Sequence, residues 1–528
     1  MNWRKHPHEG SKHGELPSEV DIKQQHKIVG VATLATLSAV LLLTVACIVT
    51  VCGAMPHFAD NAHNPSSSVA RNVGATRLQS VCPIRLSLPD LSQYGDSQYN
   101  ESEGDLQSFA RYGAFGDVYR ASVHNVQDAD DQSLILNTQA SDTDSSALIA
   151  DHDVNHDAQV LEGRLSRVAS GTGIAASMIS WATKGDVRGL AATTCSIPVM
   201  KQTFLVPEAS EGTSLRLEAF NSAAKPTVVR VRAWSAQHGS TPLTFSTGSA
   251  FTVPAHSHAY FDLAAAAPRS GGLYVQVESE QTPVAAFVKV IHMRGLTVRG
   301  VDIIRALNSQ SHTNILSGIS EGDQTKVYVW PHKDGNVTLS WMNESGVQTI
   351  KELSLKSRHL QVIDLGKVPE HVHALSVTGS TPVAAMASIT REGKDGQADV
   401  AFISASRSQG SSAIVSPVAA DETTLYLASA NDHDSSVLLQ GFDASGVLVD
   451  AKRITVPSHA VVSIPAVDVS RGAVMFTVQS HNNITFSARI SKSEVEKSDV
   501  AGVAWLDSQS LEPQQMQVYV SSNHHIVH

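Results

Sequence analysis

Two segments of the C-terminal half carry nearly the same phrase, Val277-Glu-Ser-Glu-Gln-Thr-Pro283-Val-Ala-Ala and, one hundred residues later, Val377-Thr-Gly-Ser-Thr-Pro382-Val-Ala-Ala. A degenerate third copy follows, Val478-Gln-Ser-His-Asn-Asn-Ile-Thr-Phe. Each copy is a short β-rich run that is broken by a turn and followed by a second apolar run. Repetition at a fixed interval indicates repeated structural units. Pro cannot donate to a strand ladder, so we interpret the phrase as a packing element that turns the chain between strands.

Around these phrases, short runs of alternating apolar and polar residues recur in the same order. Three equivalent strands are Ser214-Leu-Arg-Leu-Glu-Ala-Phe-Asn, Asn336-Val-Thr-Leu-Ser-Trp-Met-Asn and Ser436-Val-Leu-Leu-Gln-Gly-Phe-Asp. Roughly seven strands per repeat of about one hundred residues are typical of a two-sheet sandwich. A propeller blade has four strands in about 40 to 50 residues and fits this period badly. The pattern predicts an all-β fold of about three tandem Ig-like β-sandwich repeats, preceded by an N-terminal transmembrane helix and a partly disordered region.

The predicted organisation has nine segments along the chain. They are a cytoplasmic tail (1–27), a transmembrane helix (28–55), an extracytoplasmic stalk and irregular β-region with an acidic insertion (56–195), repeat 1 (196–304), a linker (305–325), repeat 2 (326–403), a linker (404–423), repeat 3 (424–506) and a C-terminal tail (507–528). Strand-like fragments within 76–195 leave open an imperfect additional β-module there.

The composition argues against a nucleic-acid partner. The formal net charge is −11, and no basic stripe follows the first thirty residues. Phosphate binding requires concentrated Lys and Arg. Aromatic residues are only 5% of the chain, which suits thin β-rich modules better than an enzyme with a deep aromatic pocket.

Ile28 to Met55 contains no charged residue and is long enough to span a bilayer. Basic residues precede this run and the next one is Arg71, so the positive-inside rule places the N-terminus in the cytoplasm and the remainder outside. We predict a retained signal-anchor in a single-pass cell-membrane protein. Two alternatives are a signal peptide cleaved at Cys52-Gly-Ala54 and a lipid-modified Cys47.

Four cysteines divide into two pairs. Cys47 and Cys52 lie within the apolar run and behave as small apolar residues. Cys82 and Cys195 lie in the region predicted to be exported, where disulfides form. We predict a disulfide between Cys82 and Cys195, with two unpaired buried thiols as the alternative.

One acidic segment imitates a calcium-binding loop. Oxygen ligands at alternate positions followed by a Glu resemble such a loop, and the candidates here are Asp151, Asp153, Asn155, Asp157 and Glu162. The sixth position, which requires Gly for the sharp turn, is His156. We therefore favour a solvated loop and predict no metal site and no cofactor.

Other motifs for chemistry are weak. His152 and His156 are four residues apart, and His524, His525 and His528 lie at the C-terminus, but neither group has the ligand set of a dedicated metal site. A Gly-x-Ser-x-Gly match at Gly318 to Gly322 precedes a strand rather than a helix, so Ser320 is not interpreted as a nucleophile. We predict that the protein is not an enzyme and has no catalytic residue.

Three tryptophans offer a possible sugar-stacking platform. They are Trp234, Trp330 and Trp341. Trp341 shares a strand face with Val337 and Leu339, which the period of two assigns to the core. Packing is the favoured interpretation, and exposure of the rings would be required for glycan binding.

The stretch Lys184-Gly-Asp-Val-Arg-Gly-Leu-Ala-Ala-Thr-Thr-Cys195-Ser-Ile-Pro and the Pro-Val-Ala-Ala phrase resemble an uncharacterised actinobacterial family. Its members have one N-terminal membrane segment and an exported β-rich body. The resemblance covers roughly residues 180 to 506. It implies location and architecture, and it implies no catalytic residue because the family has no established activity.

These observations favour a membrane-anchored cell-envelope protein whose extracellular β-sandwich array is a structural or interaction module. The alternative is a carbohydrate-binding accessory protein of the envelope, and a secreted hydrolase is less favoured. The expected partners are the membrane and an envelope protein or polysaccharide. Loops at the ends of the sandwiches are the expected contact regions.

Overall fold

The computed structural model describes residues 69–88, 102–127, 133–139, 146–295, 297–418 and 420–520. The predicted cytoplasmic tail and the predicted membrane segment at Ile28 to Met55 lie outside these residues, as do the C-terminal histidines. Within the part that is described, none of the helices has the length and apolar character needed to cross a bilayer. The described chain is all-β, which confirms the predicted class at that level.

The described strands form four successive modules. Module 1 contains β2 (Arg77–Cys82), β3 (Gln107–Phe115), β4 (Val118–Asn125), β5 (Leu134–Ile135), β6 (Ala147–Asp153), β7 (Gln159–Leu165), β8 (Gly173–Ala182) and β9 (Gly189–Thr194). Module 2 contains β10 (Lys201–Val206), β11 (Thr213–Asn221), β12 (Thr227–Ser235), β13 (Ala250–Val253), β14 (Ser257–Asp262), β15 (Leu273–Ser279), β16 (Ala285–Arg294) and β17 (Thr297–Arg305).

Modules 3 and 4 repeat this plan with one fewer strand each. Module 3 contains β18 (Ser311–Ser317), β19 (Gln324–Pro331), β20 (Gly335–Asn343), β21 (Gly346–Leu355), β22 (Gln361–Lys367), β23 (Ala374–Glu392) and β24 (Ala398–Ser404). Module 4 contains β25 (Gln409–Val415), β26 (Glu422–Ala428), β27 (Ser435–Asp443), β28 (Leu448–Val456), β29 (Val461–Pro465), β30 (Ala473–Ser491) and β31 (Val503–Asp507).

A few short elements complete the described chain. Strand β32 (Gln509–Ser510) pairs with β25, and β1 (Val69–Gly74) pairs with β33 (Gln515–Val520). Three single-turn helices are α1 (Leu263–Ala266), α2 (Ala466–Val469) and α3 (Ser493–Glu496).

All four modules share one strand order. Module 1 has sheets β2-β7-β4-β5 and β6-β3-β8-β9, and module 2 has β10-β15-β12-β13 and β14-β11-β16-β17. The first and second strands of each module therefore lie in different sheets, whereas the first two strands of an Ig domain share one. The two sheets of a module enclose a common core. In module 2, Phe204 and Val231 of one sheet belong to the same apolar cluster as Leu217 and Val288 of the other.

The repeated phrase is the point where the chain passes from one sheet to the other. In module 2 this passage is a turn at Pro283 between β15 and β16. In modules 3 and 4 a single strand of 19 residues, β23 or β30, pairs in one sheet with its first half and in the other with its second half. The small residues after the Pro, such as Ala385, are buried, which allows close packing at the passage.

The four modules close into a ring. We call the last strand of each module, β9, β17, β24 and β31, its inner strand. β9 lies against β17 and β31, and β24 lies against the same two strands. Modules 1 and 4, which are far apart in sequence, share a buried apolar cluster in which the rings of Phe115 and Phe442 are 5.7 Å apart.

The prediction of about three tandem Ig-like repeats is therefore wrong in number, topology and arrangement. Module 1 occupies the segment predicted to be irregular, because its strands are separated by polar stretches that weaken the alternating pattern. The ring is propeller-like, although its units are twice the size of a propeller blade. The repeat period indicates the size of a unit and does not indicate how the units are arranged.

The two predicted linkers also contain strands. β18 lies within 305–325 and β25 lies within 404–423. Both are rich in Ser, yet Ser317, Ser411 and Ser412 are buried. The strands were predicted as linkers because a high Ser content is typical of linkers, although several of these serines are buried.

Candidate functional site at the axis and connection face of the ring

Each inner strand is the edge of its sheet, and its free edge faces the ring axis. β9 pairs only with β8, and β24 pairs only with β23 among the described strands. The free edge presents backbone N–H groups that are buried by the neighbouring modules. Buried N–H groups require hydrogen-bond partners, so the axis must contain acceptors.

Asp399 supplies one set of these acceptors. Its carboxylate lies within hydrogen-bond reach of one N–H group of each inner strand. The donors are Leu190 (3.1 Å) and Val503 (3.1 Å) to Oδ2, and Val301 (3.5 Å) and Val400 (3.0 Å) to Oδ1. A single side chain thus bridges all four modules.

Glycine occupies the position of Asp399 in the other three modules. These residues are Gly189, Gly300 and Gly502, with φ of 143°, 128° and 61°. A Cβ at Gly189 would lie 2.7 Å from Val301, and one at Gly300 would lie 2.5 Å from the backbone nitrogen of Val400. The inner strands approach one another so closely that this level of the axis has room for only one side chain.

Burial raises the pKa of Asp399 well above its usual value, and the N–H donors act in the opposite direction. The geometry fits the ionised form. Each carboxylate oxygen faces two N–H donors, whereas a protonated carboxyl would need an acceptor for its own O–H. We therefore regard Asp399 as an anion held by backbone amides.

Asp302 lies further along the axis and differs in its surroundings. Its Oδ2 accepts a hydrogen bond of 2.7 Å from the N–H of Phe402, and its Oδ1 has no partner of hydrogen-bonding geometry among the described residues. Burial raises the pKa of Asp302 to about 7. Burial therefore favours the protonated form of this carboxyl.

The inner strands end in an ion pair that crosses the axis. Arg305 Nη1 of module 2 lies 2.8 Å from Asp507 Oδ2 of module 4. Asn308 donates to the same oxygen at 3.2 Å and to the carbonyl of Ala405 at 2.9 Å. Burial raises the pKa of Asp507, and Arg305 opposes that effect.

The segments that leave the inner strands meet around this ion pair. We call these segments the connection face. It consists of residues 195–200, 306–310, 405–408 and Ser508. A cleft of about 130 Å³ here is lined by residues from all four connections, among them Ile197, Asn308, Arg407 and Ser508. A second cleft of about 230 Å³ shares Asn308 and Arg407 with the first.

The two clefts are positively charged in a negatively charged protein. Their described lining contains Arg305 and Arg407 and no Asp or Glu. Arg305 is neutralised by Asp507, whereas exposed Arg407 has no ion-pair partner among the residues that the structure describes. Amide and hydroxyl groups make up much of the remaining surface, so the clefts suit a small polar ligand with negative charge.

The predicted disulfide is present in the structure. Cys82 at the end of β2 is joined to Cys195, the residue that follows β9, with their Cα atoms 4.4 Å apart. Both residues are buried, and Cys195 lines the smaller cleft. The bond therefore fixes one of the four connections to its own module.

The acidic segment is not a loop around a cation. Asp151 and Asp153 lie on strand β6, and Asp151 pairs with Arg111 at 2.6 Å. Glu162 lies on β7 and pairs with Arg77. No group of three or more potential ligands that could hold a metal ion occurs within the described ranges.

The serine motif lies in a turn between two strands. Ser320 follows β18 and precedes β19, and its N–H donates to Asp323 at 2.9 Å. Asp323 is fully buried and pairs with Arg391 and Arg489. The strained strand-to-helix turn that exposes a nucleophile is therefore not formed here.

The three tryptophans are buried, and two of them lie at the contact between modules 2 and 3. Trp330 of module 3 stacks on Tyr274 of module 2 with ring centres 4.2 Å apart, and Trp234 lies 5.5 Å from Trp330. Trp341 is only 7% exposed and belongs to the core of module 3. None of these rings is available as a sugar-stacking platform.

Sequence reasoning missed the axis and Arg407. A signal for the axis was present, because three modules share a short pattern at the level of Asp399. The pattern is Val187-Arg-Gly-Leu190, Val298-Arg-Gly-Val301 and Val500-Ala-Gly-Val503, with Gln397-Ala-Asp-Val400 as the exception. Arg407 carries no comparable signal, because a lone Arg in a polar segment is ordinary.

The fold and the site define a ring of β-modules with a polar cleft at one end of its axis. The chain belongs to a family of unknown function, DUF5719, whose model matches residues 149–466. This confirms the resemblance to an uncharacterised family. No curated protein matches the chain.

Similarities to solved structures are weak. A β-glucuronidase from Bacteroides uniformis is 8% identical, with 64% of this chain and 32% of that chain covered and a TM-score of 0.10. A tetra-tandem repeat of a large adhesion protein is 12% identical, with 78% and 95% covered and a TM-score of 0.10. An α-L-rhamnosidase from Streptomyces avermitilis is 9% identical, with 80% and 58% covered and a TM-score of 0.11. The chain spans about a third of the length of the first of these, and such TM-scores support no structural argument.

Proposed function

We propose that this chain is a single-pass, membrane-anchored protein of the cell envelope whose ring is an extracytoplasmic interaction module. The connection face is its contact surface. The observation that carries the proposal is the convergence of the three inter-module connections, and of Ser508 after the last inner strand, on one cleft whose described lining has no carboxylate. Binding sites are commonly formed by loops that a rigid scaffold positions, and a closed ring is such a scaffold.

Two further features support export and anchoring. The apolar run Ile28 to Met55 has the length of a membrane span. The buried disulfide between Cys82 and Cys195 suits an oxidising compartment. Binding, rather than catalysis, is the proposed role of the ring.

The test is cross-linking on intact cells that produce the full-length chain. A photoreactive residue replaces Ser408 on the connection face, and in a control chain it replaces Thr455 on the exposed edge strand β28. We expect a discrete cross-linked species with an envelope component from position 408 and none from position 455. External protease should remove the ring from the cells. A ring that is protected from protease, or equal cross-linking at both positions, would contradict the proposal.

A further inference from the structure

We propose that the paired clefts of the connection face bind a carboxylate-bearing, polyhydroxylated ligand, that is, an acidic saccharide residue. This inference rests on the proposed interaction role and adds the chemical class of the ligand. Three features of the clefts carry it, namely an uncompensated guanidinium, a lining without carboxylates, and buried polar atoms without partners.

Arg407 is the element that selects an anion. It lines both clefts and is an exposed residue. A guanidinium donates two parallel hydrogen bonds to a carboxylate, which fixes the orientation of the ligand as well as its charge. The protein as a whole carries a net charge of −11, so the absence of Asp and Glu from the described lining of both clefts favours an anion at this place.

The neutral lining selects hydroxyl groups. Gln409 lines the smaller cleft, is 6% exposed and has an Oε1 with no partner of hydrogen-bonding geometry among the described residues. Gln310 and Ser408 line the larger cleft beside Asn314. Side-chain amides and hydroxyls both donate and accept, which matches the donor and acceptor character of sugar hydroxyls.

The size of the clefts limits the ligand. Their volumes, about 130 and 230 Å³, lie below the range of about 300–1,000 Å³ typical of pockets for drug-sized molecules. The clefts therefore suit one sugar residue or the end of a longer chain. An extended polysaccharide segment would have to continue into solvent.

The experiment is calorimetric titration of the purified full-length chain in detergent with D-galacturonate, D-galactose and acetate. We expect saturable binding of galacturonate and at least about tenfold weaker binding of galactose, which lacks the carboxylate, and of acetate, which lacks the hydroxyls. Binding of galacturonate should weaken as salt increases.

Substitution tests the position of the site. Arg407→Gln should weaken galacturonate binding at least about tenfold, whereas Arg453→Gln on exposed strand β28 should leave it unchanged. Absence of saturable galacturonate binding, equal losses in both variants, or acetate binding as tight as galacturonate would overturn the inference. Cross-linking at position 408 in cells together with a failed titration would refute the ligand class and leave the interaction role standing.

Discussion

Asp399 fills a place on the ring axis that glycine fills in the other three modules. Its two oxygens accept from N–H groups of four different strands, which is more than a neutral side chain of the same size provides. An amide in its place would offer one acceptor oxygen and would turn an NH₂ group toward two N–H donors. The negative charge of Asp399 therefore stabilises the contact of the four inner strands.

Asp399→Asn should lower the free energy of unfolding by at least about 2 kcal/mol, because buried N–H groups lose their acceptor. Urea denaturation of the full-length chain measures this change. The matched control is Asp395→Asn, an exposed carboxyl in the hairpin that leads to the same inner strand, which should change stability by no more than about 0.5 kcal/mol. Equal stability of the two variants would show that Asp399 is protonated in the folded protein.

Asp302 makes the stability of the ring depend on pH. Its pKa is raised by burial to about 7, above the usual value of 3.8. Between these values the folded state keeps a proton that the unfolded state has lost, so the contribution of Asp302 to stability is lost as pH rises through this window. At lower pH the contribution is fully present.

Asp302→Asn keeps the acceptor for Phe402 and removes the titration. The free energy of unfolding of the variant, relative to the parent chain, should therefore rise by about 1 kcal/mol per pH unit between pH 5 and pH 7. Chemical denaturation at a series of pH values measures this difference. A difference that is independent of pH would mean that Asp302 has an ordinary pKa.

At the scale of elements, aromatic stacking joins strands of adjacent modules. Trp330 on β19 lies against Tyr274 on β15 and is 1% exposed. Trp330→Ala should lower the free energy of unfolding by about 3–5 kcal/mol, the usual cost of such a cavity. Thermal unfolding followed by near-ultraviolet circular dichroism measures it. Tyr260→Ala, at a ring that is 55% exposed, should cost no more than about 1 kcal/mol, and a comparable loss there would contradict the interface role of Trp330.

Strand positions were predictable from sequence and their sheet partners were not. The alternation in Ser214 to Asn221 predicted β11, because one face packs on a core and the other faces more polar surroundings. β8 is buried at every position, so no alternation marks its two packed faces. The crossing strand β23 looked like two strands and a turn, since Pro382 interrupts a run that in fact continues.

The axis shows why the site was only partly predictable. The disulfide pair could be found by counting cysteines in a region predicted to be exported. The carboxylate of Asp399 and the cleft at Arg407 depend on contacts between residues about one hundred or more positions apart. A single sequence records such contacts only as faint regularities, such as the Gly that precedes Val301 and Val503.

At the scale of the whole molecule, the family match is shorter than the ring. Residues 149–466 omit strands β2 to β5 and also β30 and β31. The missing strands include one inner strand and one of the two partners of β27. A chain limited to the matched residues would therefore expose the cores of modules 1 and 4 and leave the ring open.

A fragment of residues 149–466 should lack a cooperative thermal transition and be degraded rapidly in limited proteolysis, since two of its four modules are incomplete. The full-length chain is the comparison and should release a resistant core that includes both ends of the ring. A fragment that melts cooperatively at the temperature of the full-length chain would show that the modules fold independently of ring closure.

The axial aspartate also constrains how such a protein can arise by duplication. Four identical copies of one module would place four glycines at this level, with no carboxylate to accept from the N–H groups of the residues that follow them, or four carboxylates in a space that holds one. Strict fourfold symmetry is therefore incompatible with this axis. If the ring arose from equal copies, the residue at this position must have changed in one copy before the inner strands came close together, or at the same time. A redesigned symmetric ring would need a different arrangement of side chains at its axis.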